Sequence, residues 1–165
     1  MTVRGFTPGL MDRLLRPGEP GAGTATVHRL SLEEMKDSVA RDLEALLNTR
    51  TVISEHLLKR FPECGRSIVT YGLNDFAGMS LASPDDRAAI CQGLERAIAR
   101  HEPRLRNVRA TLDVHEGGID RLNFAITALL VLHTAQEPVN FDAVLQPSSL
   151  HYTISKARRA ALPGA

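Results

Sequence analysis

Three carboxylates stand where the chain changes from helical to strand-like patterning: Glu102, Asp113 and Glu116. Two carboxyl groups a few ångströms apart, one held protonated in an apolar pocket, are what cleaves a glycosidic bond. Here Arg104, Arg106 and Arg109 lie among them, and nearby positive charge favours the ionised form, which argues against a general acid. No other constellation is better equipped. His28, His56, His101, His115, His133 and His151 fall into no H-E-x-x-H or H-x-H pattern and join no cysteine cluster, so no metal set is expected. Gly21-Ala22-Gly23 has the glycines of a phosphate loop but no preceding strand and no following Gly-Lys-Ser/Thr. Cys64 and Cys91 have no basic partner pattern that would make a nucleophile. The expectation is a chain with no catalytic residue, metal or cofactor.

What remains is contact chemistry. Glu102-Pro103-Arg104 ends a helix pattern with a fixed main chain between two charges. A guanidinium suits bidentate, half-buried recognition of a carboxylate or carbonyl pair, and a preceding proline reduces the entropy lost on docking. The competing reading is a helix stop with two solvated charges. A second candidate contact is the apolar set Leu10, Met11, Leu14 and Leu15 at helical spacing. It reads as a docking peptide over residues 9–15, within a flexible segment 1–27 that continues through the linker RPGEPGAGT. A nucleic-acid module is disfavoured: five Phe, two Tyr and no Trp offer few stacking platforms, and 20 Lys plus Arg balance 19 Asp plus Glu.

The elements that position these residues follow from periodicity. Ser31 and Glu34 form a capping box, and Leu32, Met35, Val39, Leu43, Leu46 and Leu47 predict a helix to about Asn48. A short helix is expected from Ser54, closed before Pro62, then a structured loop through YGLNDFAGMSL. Ser83 and Pro84 start a helix with Ile90, Leu94, Ala97 and Ile98 as its buried stripe, and Pro103 stops it near His101. The period then becomes two, predicting strands over 108–115, 123–132 and 139–145. The middle one, apolar on both faces, is expected to be central and the other two to be edges. The fold class is α+β, with N-terminal helices packed on one face of a C-terminal antiparallel meander. One domain over 28–147, followed by a tail 148–165, suits 165 residues of ordinary globular composition. No apolar run approaches a membrane span, no signal-like start is seen, and two scattered cysteines suit a reducing compartment, so the expected location is cytoplasmic.

Taken in order, LMDRLL, SVARDLEALLNTR, SIVTYGLNDFAGMSL, the helix ending in EPRL, and the pair RLNFAITALL and VNFDAVL resemble the lysozyme-like family of phage baseplate wedge proteins. Within that family they are most similar to the baseplate subunit of bacterial type VI secretion systems. The likeness runs from about Gly9 to Leu145, with Thr51 where a second Arg commonly follows LNTR and Asn74 where Pro is common in YGLPD. It implies a structural role without catalysis, in the cytoplasm at a membrane-docked baseplate. The implied partners are the TssF and TssG core bundle, TssK, and the first ring of the TssB/TssC contractile sheath, with no nucleic acid and no membrane insertion. Glu102, Pro103 and Arg104 would be the family's interaction motif, and the C-terminal sheet a platform to which sheath strands add. Against this stand a peptidoglycan-cleaving glycosidase and a nucleic-acid-binding module.

Overall fold

The computed structural model describes residues 5–15, 29–76, 78–113, 122–132 and 135–157. Helices α1 (Leu10–Leu15), α2 (Leu32–Leu47), α3 (Glu55–Arg60) and α4 (Pro84–His101) precede strands β1 (Leu105–Asp113), β2 (Leu122–Val131), β3 (Gln136–Gln146) and β4 (His151–Lys156). Two short 3-10 turns, Pro62–Arg66 and Ile68–Thr70, follow α3.

Local chemistry sets the helix limits. The Ser31 hydroxyl accepts from Glu34 N at 3.2 Å while Glu34 Oε2 accepts from Ser31 N at 2.8 Å, a reciprocal cap that starts α2. Ser83 caps α4 through Asp86 N, with Pro84 at the first helical position. At the other end Glu102 takes φ −120° and ψ 84°, leaving the helical region as the residue before a proline must.

The four strands form an antiparallel meander in the order β1-β2-β3-β4, so the fold is α+β with the helices first and the sheet last. Val39, Leu43, Leu46 and Leu47 of α2 and Ile90, Leu94 and Ile98 of α4 close over Phe124, Ile126, Leu130, Phe141, Ala143 and Tyr152 to make one core. α2 packs along β4 and α4 along β1, so each helix lies under one side of the sheet.

Two expectations need correction. His151–Lys156, in the stretch read as a tail, forms β4 and pairs with β3 from Phe141↔Lys156 to Gln146↔His151. β3, expected at an edge, therefore lies between β2 and β4, and the edges are β1 and β4. The reason is that a six-residue strand with only Tyr152 and Ile154 buried carries too little alternation to stand out. β1 also begins earlier than its alternation suggests, at Leu105. A register shift between Arg106 and Arg109, with Asn107 at φ 53°, breaks the period there. Val114 and His115 lie outside the described residues.

The loop YGLND folds back on the end of α2. Leu73 N donates to Thr49 O at 2.8 Å and Thr51 N to Leu73 O at 2.9 Å, which lays LNTR beside YGL. Gly72 makes this approach possible: its φ is +118°, and a Cβ there would lie 2.5 Å from Thr49 O.

Candidate protein-contact site

Pro103 turns the chain from α4 into β1, and the two charges beside it turn inward. Glu102 is 5% exposed. Its Oε1 accepts from Arg104 N at 3.1 Å and Arg104 Nε at 2.7 Å, and its Oε2 accepts from Arg104 Nη2 at 2.5 Å. The same guanidinium reaches α2, where Nη2 donates to Asp42 Oδ2 at 2.6 Å and Nη1 to Ser38 Oγ at 3.2 Å. Burial works against the Arg104 charge, but the bonds and charges of Glu102 and Asp42 outweigh it and raise its pKa above the ordinary arginine value. Glu102 and Arg104 thus form a clamp between the α4–β1 turn and α2. Pro103 alone of the three is exposed.

Ser38 extends the clamp to the N-terminal helix. Its hydroxyl donates to Asp12 Oδ2 at 2.8 Å, and Asp12 Oδ1 accepts from Arg41 Nη2 at 2.7 Å. Asp12 also accepts from Gly9 N at 3.0 Å, closing the first turn of α1. Burial would raise the Asp12 pKa, yet the bonds from Arg41, Ser38 and Gly9 together hold it below the usual aspartate value. Just upstream, Phe6 and Leu30 exchange both backbone bonds at 2.8 Å. The short helix is therefore docked by its one acid. Leu10, Met11, Leu14 and Leu15 remain between 51% and 71% exposed.

Between α1, α2 and the Pro103 turn lies a groove of about 670 Å³, with Leu10, Met11, Leu15, Leu46, Tyr71 and Pro103 in its walls. Tyr71 meets the His101 ring edge-on at 5.4 Å, and His101 Nε2 lies 2.9 Å from Thr70 O. Burial, reinforced by the negative charges of Asp42 and Glu102, raises the Tyr71 pKa, so its phenol stays neutral at physiological pH.

The two sequence-picked clusters, α1 and Glu102-Pro103-Arg104, therefore meet at one place. Asp12, Ser38, Arg41, Asp42 and Tyr71 complete it and were not singled out from the sequence, where each reads as an ordinary surface polar residue or part of a loop. Of the hydrolytic candidates, Glu102 and Asp113 stand at opposite ends of β1. Both oxygens of Glu102 accept from Arg104, Asp113 is exposed at the end of β1, and Glu116 lies outside the described residues, as do Gly21 and Gly23. Among the described residues no helix is long and apolar enough to cross a membrane.

Residues 33–135 match the family model of the baseplate wedge protein gp25. A search of the curated proteins gave no match. Proteins of this family are structural parts of a baseplate, built into it through contacts with its other components. The match spans more than half of the chain, and the chain belongs to the gp25 family of baseplate wedge proteins, the family that includes TssE.

Proposed function

We propose that this chain is a TssE-type wedge subunit of a type VI secretion baseplate. In this role it joins the TssF/TssG core bundle, in complex with TssK, to the first ring of the TssB/TssC sheath and helps to start sheath assembly. It works in the cytoplasm at the membrane-docked baseplate, as a connector and not as an enzyme. The observation that carries the reading is the convergence of LNTR, YGL-x-D and E-P-R, far apart in the chain, around the C-terminal ends of α2 and α4. The groove beside them is the contact: exposed apolar side chains of α1 supply area, and the Arg104 clamp holds Pro103 and the groove wall rigid so that little order is lost on docking.

Co-purification with TssF–TssG–TssK tests this directly. The wild-type chain is expected to be retained, and Leu10→Asp with Leu14→Asp to abolish retention without lowering the melting temperature, because both residues are exposed. Peptidoglycan incubated with the protein should release no more muropeptide than buffer. Turnover abolished by Glu102→Gln would replace the connector with a glycosidase.

A further inference from the structure

A second exposed apolar surface lies in residues 52–69, apart from α1. Val52 is 94% and Ile68 80% exposed, and Leu57, Phe61 and Val69 are exposed as well. Thr51 Oγ1 donates to Val69 O at 3.2 Å, which brings Val52 beside Val69, and Phe61, which caps the end of α3, follows Leu57 of that helix by four residues. The segment is held in shape. Its turns are closed by Cys64 N to Phe61 O at 3.0 Å and Ser67 N to Cys64 O at 3.1 Å, and Thr70 fastens it to His101 on α4. Large aliphatic side chains on a fixed scaffold make a better binding surface than the same residues on a free loop.

Charge sets the kind of partner. Lys59, Arg60 and Arg66 are exposed within this segment, which also holds the acids Glu55 and Glu63. Arg100 of α4 stands with Ile53 and Leu58 around a small cavity beneath it. With Arg96 and Arg100 lining that cavity, five cations stand against the two acids of the segment, whereas the whole chain carries a net charge of only +1. Phe61 is the sole Phe, Tyr or Trp within 52–69, which leaves few platforms for successive bases to stack on.

We infer that residues 52–69 form a second protein-contact surface, which takes an acidic, apolar-faced segment of a neighbouring subunit of the assembly. This rests on the wedge reading, in which a connector needs more than one face. The test uses the purified full chain, Ile68→Asp, and the pair Arg60→Glu with Arg66→Glu, against immobilised TssF–TssG–TssK, immobilised TssB–TssC and phosphatidylglycerol vesicles. Both variants should melt with the wild type and lose at least about tenfold affinity for the same one of the two assemblies, and wild-type affinity for it should fall with added salt. Wild-type binding to an assembly with unchanged affinity in both variants overturns this surface and leaves the wedge reading standing. No wild-type binding to either assembly overturns both. Vesicle binding lost in both variants, with the assemblies unaffected, makes it a lipid surface and overturns the protein partner.

Discussion

The two edges of the sheet are closed by the same device to different degrees. Along β4, the Asn48 side chain accepts from Tyr152 N at 2.7 Å and donates to Tyr152 O at 2.8 Å, as a neighbouring strand would, and Glu44 accepts from Ile154 N at 2.8 Å. Along β1, Glu95 accepts from Ala110 N at 2.9 Å and the Leu112 amide faces the Cys91 sulfur. Side chains of the helix beneath meet the edge in both cases. β4 is matched as donor and acceptor, whereas at β1 the helix meets amide donors across an open groove walled by Arg87, Gln92 and Thr111. An edge strand left bare invites pairing with another chain. A helix one layer below can prevent this without adding a strand, and β1 is the edge left easier to open. Strand addition by sheath subunits, expected at 108–115 or 139–145, loses its second candidate, because β3 is paired on both sides.

The largest effect is expected where the two sides are joined. Arg104 ties α2, which covers β4, to the start of β1. Arg104→Ala leaves Glu102 buried without its cation and should cost about 3–5 kcal/mol of unfolding free energy by urea titration. Lysine should restore only part of this, because an ammonium cannot bond both Glu102 oxygens and Asp42 from one plane. An alanine variant as stable as wild type would mean that the clamp is solvated in solution.

Next comes a proline at Asp142, which faces Ala125 on one side and Ser155 on the other. Removing a ladder donor from an inner strand should cost about 3 kcal/mol. Thr111→Pro is no gentler edge probe. The Ala110 amide faces α4, so that of Thr111 faces β2. An Asp142→Pro protein with the wild-type melting temperature would contradict the strand order.

The comparison itself is tested by Asn48→Ala against Glu95→Ala. The first removes a donor and an acceptor and should cost about 2 kcal/mol; the second removes one acceptor at a more open site and should cost about 1 kcal/mol. Amide exchange should speed up at Tyr152 in the first variant and at Ala110 in the second. Equal losses would show that the edges are equally closed.

What could be read in advance was local. The Ser31–Glu34 box, Ser83-Pro84 and Pro103 act within a turn or two of themselves, so α2 and α4 were legible to within a residue or so. β4 was not, because what makes it a strand is distant: Asn48 lies 104 positions from Tyr152 and Glu44 110 from Ile154. The site divides in the same way. Pro103 and the four apolar residues of α1 stand out by type and spacing. The partners of Arg104 on α2 lie 62 and 66 positions away, and nothing in the spacing tells which of 19 acids it meets. Asp12, placed among leucines, reads as the solvent side of its helix and is in fact the side that docks.

That inversion leads to the smallest effect, confined to α1 and independent of either edge. Asp12 has a folded-state pKa below its ordinary value of 3.8. A depressed carboxylate contributes stability that is present above the ordinary value and is lost as pH falls through the lower folded value. α1 should therefore stay docked at neutral pH and come away in acid below about pH 3.8. Arg41 is well exposed, so water and salt weaken the pair, and the change in global stability should stay under about 1 kcal/mol. The cleaner probe is Asp12→Asn at pH 7, which keeps an acceptor for Ser38 but drops the charge facing Arg41. Exchange at the Gly9 and Arg13 amides should rise several-fold, while Tyr152 and Ala110 stay as protected as in wild type. Protection falling at the sheet edges together with Gly9 would make α1 part of the same cooperative unit as the clamp. Ser38, which bonds Asp12 and Arg104 alike, would then carry the disturbance from α1 to both edges.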